Sequence, residues 1–139
     1  MKARQIRRTF RALAAGLGVF GLAAPLVAHH AFDTEYDPKK KVDLAGVVSK
    51  VEWTNPHMRV YVDVTDPKGG TTTWNLELGS PNSVLRRGWT KADIRPGEKV
   101  KFTAFSGRVV ESRAAADSIT LSDGRAFTGA SGAPDAPTP

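Results

Sequence analysis

Three histidines are the residues of this chain best suited to chemistry. His29 and His30 are adjacent, and His57 directly follows Asn55-Pro56. Cleavage after Ala28 would make His29 the amino terminus, where its α-amine and a ring nitrogen can chelate a metal together and a second imidazole can close the site. Imidazole suits Cu, Zn and Ni, and Cu(II) leads in raw affinity for nitrogen and oxygen donors. The expected site is therefore copper held by His29, His30 and His57, with the amine and imidazoles in a tetragonal set. All these ligands must be deprotonated, so binding should weaken as pH falls through the histidine and amine ranges. The plainer reading has His29-His30 as solvated chain and His57 as a hydrogen-bonding residue of a bent loop.

Other side chains offer less. Trp53 and Trp74 fall on inward strand positions and read as core, whereas Trp89 can cap the core or line a ligand mouth. In a metal-free alternative, Asn55 and Trp89 line that mouth, and a partner protein or small apolar ligand docks there. Arg86 and Arg87 read as a solvated helix end. Asp33, Glu35 and Asp37 alternate, but lack the glycine-centred spacing of a calcium loop. There is no Gly-x-Ser-x-Gly elbow, no His-Glu-x-x-His pair, no phosphate-cradling glycine loop and no cysteine. An enzyme reading would need a redox metal with an open coordination position; the expectation is a non-enzymatic binding or accessory module.

These side chains must be placed by a compartment and a fold. The chain has 139 residues and a net charge of +6, with 20 basic and 14 acidic side chains. Residues 1–28 contain Lys2, Arg4, Arg7, Arg8 and Arg11 and no acid, so the remainder carries 15 basic against 14 acidic groups. The basic excess belongs to the leader, which argues against nucleic acid as a partner. Residues 1–28 read as a cleavable signal peptide: a basic start, an apolar stretch from Ala12 to Leu26 and a small residue at the cut. Arg7-Arg8-Thr9-Phe10 fits the twin-arginine route as well as ordinary secretion. Gly16, Gly18, Gly21 and Pro25 interrupt the apolar stretch, so no stable membrane anchor is expected after cleavage. The mature protein is expected in the periplasm or outside the cell, and its partner is expected to be an unidentified periplasmic protein or small ligand.

Beyond an extended segment at 29–41, alternation predicts a domain over 42–128 and a disordered Gly/Ala/Pro tail at 129–139. Val42 and Leu44 have one parity and Val47, Val51 and Trp53 the other, which predicts a bulge at Gly46. Met58, Val60, Val62 and Val64 give a second strand; Trp74, Leu76 and Leu78 give a third. Ser80-Pro81 opens a short helix that Gly88 ends. Val100, Phe102 and Ala104 mark a fourth strand, and Asp117 to Ser122 a fifth. Asp123-Gly124 then folds Arg125 to Thr128 back. The predicted fold is all-β: a small five-stranded OB-like barrel with one short helix between strands three and four. An open β-sandwich uses the same strands with different pairing.

His29-His30-Ala31-Phe32, Glu35-Tyr36-Asp37, Gly46-Val47-Val48, Val51 to His57, Gly79-Ser80-Pro81-Asn82, Arg87-Gly88-Trp89, Pro96-Gly97-Glu98 and Ser122 to Arg125 together resemble domain of unknown function 6152, a family of small exported bacterial proteins. The resemblance implies that the His-His start, the Asn-Pro-His loop and the Gly-Ser-Pro turn belong to a shared pattern.

Overall fold

The computed structural model describes residues 31–128. The expected signal peptide, His29, His30 and the expected tail lie outside them. A helical turn over 31–35 leads into strand β1 (Tyr36–Glu52), followed by β2 (Arg59–Thr65) and β3 (Thr71–Glu77). A short helix, α1 (Pro81–Arg86), precedes β4 (Lys99–Gly107), β5 (Arg113–Leu121) and β6 (Ala126–Thr128). The protein is all-β, with its short helix between strands three and four as the sequence predicts. One six-stranded sheet runs β3-β2-β1-β4-β5-β6, and β3 also pairs in parallel with β5. Only Asn75, Leu76 and Glu77 make that parallel contact, opposite Arg113, Ala114 and Ala115.

Period-two alternation explains the core. Val60 and Val62 of β2, Trp74 and Leu76 of β3, Val100, Phe102 and Ala104 of β4, and Ile119 and Leu121 of β5 are all buried in one cluster. Along β4 the inward side chains shrink from Phe102 through Ala104 to Ser106, and the inward Ala114 and Ala116 of β5 are equally small. The helix forms where its cap allows: Ser80 Oγ accepts from Ser83 N at 3.3 Å, and Pro81 occupies the first turn. It buries Val84 alone and stops before Gly88, whose φ of 89° suits only glycine without strain.

The structure departs from the sequence reading along β1. The strand begins at Tyr36, ahead of the expected Val42, because Tyr36 already pairs with Gly107 across an irregular stretch. The parity change is not at Gly46. Val42, Leu44 and Val48 turn inward together, Val47 is 41% exposed, and the register slips between Val48 and Lys50. Ser49 is thus the extra residue. Gly46 serves a different end: a Cβ there would overlap the Asp63 carbonyl oxygen and come within 2.8 Å of Val62 Cγ1. Its missing side chain lets β1 pass close to β2. Strand β5 starts at Arg113, earlier than expected, because alanines carry little strand signal of their own.

The loop before β4 is tied to the last hairpin by Asp93. Its Oδ2 accepts from Thr90 N and Thr90 Oγ1, both at 2.7 Å, and its Oδ1 accepts from Arg125 Nη1 at 2.6 Å. The Thr90 hydroxyl first, then Arg125, hold its carboxyl down from 3.8 to about 2. A depressed folded value stabilises the protein above the ordinary carboxylate range, and that contribution disappears as pH falls through about 4 towards 2. Asp93→Asn is therefore expected to lower the urea midpoint at pH 7. Near pH 2 the two proteins should have the same midpoint; a gap that stays constant from pH 6 to 2 would refute the assignment.

Candidate functional site

The site grows from one cross-strand register. The β2–β3 hairpin pairs Arg59 with Glu77 and Tyr61 with Asn75. Their side chains share the face opposite the buried Val60 and Leu76. Met58, fully buried, continues the pairing through Met58 N to Gly79 O at 3.0 Å, so His57 falls on the same face as Arg59. The loop ahead of it contains a cis Asn55–Pro56 bond and closes when Thr54 Oγ1 donates to His57 O at 3.3 Å. Asn55 itself is exposed.

Glu77 is the hub. An outward strand position normally leaves a carboxylate in water, yet its side chain is only 7% exposed. Arg59 Nη2 donates to Oε2 at 2.6 Å, and Tyr36 OH donates to the same oxygen at 2.9 Å. His57 Nδ1 lies 2.8 Å from Oε1. Arg59 Nη1 also donates to Asn75 Oδ1 at 3.2 Å. A buried carboxylate is tolerable because donors surround both oxygens. Burial, then the Glu77 charge and hydrogen bond, raise the Tyr36 phenol well above its ordinary value, which keeps it a donor.

The N-terminal segment covers this face. Phe32, Tyr36 and Ala115 form a second buried cluster with Phe105 packed against it. Phe32 meets Tyr36 at 5.3 Å and Phe105 edge-on at 5.7 Å between ring centroids. Arg108 fastens the segment by donating from its backbone N to Glu35 O at 3.0 Å and from Nε to Asp33 O at 2.6 Å.

A family model described as "Family of unknown function (DUF6152)" matches residues 17–115, which takes in the His57 loop, the Glu77 hub and the covering segment. The chain belongs to the DUF6152 family. No curated protein matches this DUF6152 chain. A solved structure, that of the mitochondrial single-stranded DNA binding protein Rim1 of S. cerevisiae, is similar to it at 17% identity and a TM-score of 0.37, over 66% of this chain and 83% of that one.

Of the residues singled out by sequence, only His57 stands in this DUF6152 cluster; His29 and His30 lie outside the described residues. Among the described residues no group of three or more His, Cys, Asp or Glu is placed to hold a metal. Asp33 and Glu35 fall on the helical turn, where Arg108 uses their backbone carbonyls. Trp89 is buried in the main core, edge-on to Phe127 at 3.9 Å, and the two border a depression of about 440 Å³ together with Arg87. Trp53 packs against that core and Trp74 lies within it.

Sequence reasoning gives no role to Glu77, Arg59 or Asn75, and quotes Tyr36 only as part of the family-like Glu35-Tyr36-Asp37. The signal for two of them was present. Asp66 to Gly70 fixes the hairpin turn, and counting outward from it places Arg59 opposite Glu77. Chemically, the carboxylate is fully engaged and cannot serve as a free base. His57 is different: its side chain is 44% exposed, and with Nδ1 committed to Glu77 its Nε2 is the nitrogen left to bind.

Proposed function

We propose that this protein is an exported, non-enzymatic binding module on an OB-like barrel, and that its ligand is a copper ion held by His57 together with His29 and His30. The observation that carries the reading is that Glu77 accepts from both Tyr36 and His57. A metal-binding histidine commonly donates its second ring N–H to a carboxylate, which fixes the tautomer and aims the other nitrogen outward. Glu77 supplies that carboxylate. Tyr36 brings the N-terminal segment to the same group.

The barrel reading is supported by the parallel β3–β5 contact, which joins the first strand of the sheet order to the last but one, and by the helix between β3 and β4. Export is supported by the acid-free basic leader and its short apolar stretch. A metal-free alternative, with a small apolar ligand or partner at Trp89, is favoured by the depression between Trp89 and Phe127.

The test is copper titration of natively cleaved protein, with mass spectrometry to confirm a His29 terminus. One Cu(II) is expected per chain. His57→Ala, and a form with one extra residue before His29, should each bind on the order of 10-fold or more weakly, at least the loss seen when an outer-shell partner is removed. Equal affinity in both altered forms would overturn the shared chelate.

A further inference from the structure

We propose that a groove across β1, β4 and β5 docks an extended acidic peptide segment of a partner protein, independently of the histidines. The groove, of about 590 Å³, has a mostly apolar lining that includes Ala45, Gly46 and Val47 of β1. Val47 is among the few large apolar side chains that the described residues leave exposed. Lys99 and Lys101 of β4 stand beside this floor, in register with Val47 and Ala45, and Thr120 of β5 faces Lys101 from the other side.

The two lysines are the telling feature. Lys40, Lys41 and Lys50 are each paired with a carboxylate, at Glu111, Asp117 and Glu52. Among the described residues Lys39, Lys68, Lys91, Lys99 and Lys101 are in no salt bridge, and of these five Lys99 and Lys101 are the two that line the apolar groove. Acids close by in sequence are already engaged: Glu98 Oε1 accepts from Ser122 Oγ at 2.6 Å, and Asp123 holds Arg125 at 2.8 Å.

Geometry selects the occupant. Residues two apart on a strand stand about 7 Å apart, the same repeat that separates alternate side chains of an extended peptide. A chain lying along the groove with its pleat parallel to the sheet turns two alternate carboxylates towards Lys99 and Lys101 of β4 and the apolar side chain between them the opposite way, over Ala45 and Val47 of β1. From β1 to β5 is two strand spacings, about 10 Å, which admits one extended chain and is narrow for a helix with its side chains. A fatty acid shares the apolar-plus-carboxylate chemistry but brings one charge, and a bilayer surface does not enter a groove.

The test is an NMR titration of the exported chain with acetyl-Ala-Glu-Leu-Glu-Ala-amide, alongside the same peptide with lysines for glutamates, dodecanoate and anionic vesicles. The acidic peptide is expected to move the amide signals of residues 45–47, 99–101 and 120–121, and to do so less as salt rises. Lys99→Glu with Lys101→Glu should weaken it at least 10-fold and admit the lysine peptide in its place. Ala45→Leu, which fills the floor and keeps both charges, should also abolish the shifts in a chain whose remaining spectrum stays folded. The proposal is overturned if the acidic peptide moves none of these signals or binds the charge-reversed chain equally well. Stronger engagement of the same residues by dodecanoate or vesicles would overturn it too.

Discussion

Glu77→Ala is expected to destabilise the protein by about 3–5 kcal/mol, the usual consequence of deleting one member of a buried charge pair. The loss has two parts. Arg59, whose side chain is 21% exposed, would keep its charge with no carboxylate against it, and Tyr36 OH would lose its acceptor in a buried position. Glu77→Gln should cost less, since the amide oxygen still accepts, while its NH2 faces donors on the other side. Urea unfolding at pH 7 reads both. A Glu77→Ala protein within about 1 kcal/mol of the parent would mean that water reaches Arg59 and that the cluster is a surface network. Tyr36→Phe separates the contributions, because it removes one hydrogen bond and leaves the ring over Phe32; about 1 kcal/mol is expected.

Phe102→Ala should be comparably damaging, at about 3–5 kcal/mol. Phe102 is 1% exposed, lies 5.9 Å from the Trp74 ring and is paired with Leu44 on one side and Ile119 on the other. Three strands thus meet at one side chain, and none can collapse into the space without leaving its ladder. A domain of this size has roughly 5–15 kcal/mol in all, so the variant would retain little cooperative structure at 37 °C. Val109 offers the contrast. It is 96% exposed, and Val109→Ala should leave the thermal midpoint unchanged. A small effect at Phe102 would mean that its strands close around the cavity.

Legibility followed the physics of each element. Hairpins declared themselves: alternation and the Asp66–Gly70 turn place β2 and β3, and the same turn fixes their register. Ser80-Pro81 located the helix to the residue. In β1, by contrast, the apolar pattern shows that parity changes but not where, since Val47 is apolar and exposed while Ser49 is the inserted residue. In sequence Gly46 reads as the site of a bulge; the approach of Asp63 and Val62 that requires it is a tertiary fact that no local pattern contains. The hub was obscured in the same way. Glu77 has outward parity and a charged side chain, both of which suggest solvent. Tyr36 returns over the sheet to bond Glu77, and that return is held by Phe105 of β4, Ala115 of β5 and Arg108 of the loop between them.

The three parallel pairs between β3 and β5 also bear on how fast the molecule assembles. Every other contact in the sheet is antiparallel, and most of these join strands adjacent in the chain, but Asn75 meets Arg113 only after the helix and all of β4 have been laid down between them. Loop closure on that scale is slow and gains nothing until its last step. The join is expected to form late in refolding, so that stopped-flow traces slow little when the Ala114 contact is perturbed, while unfolding accelerates.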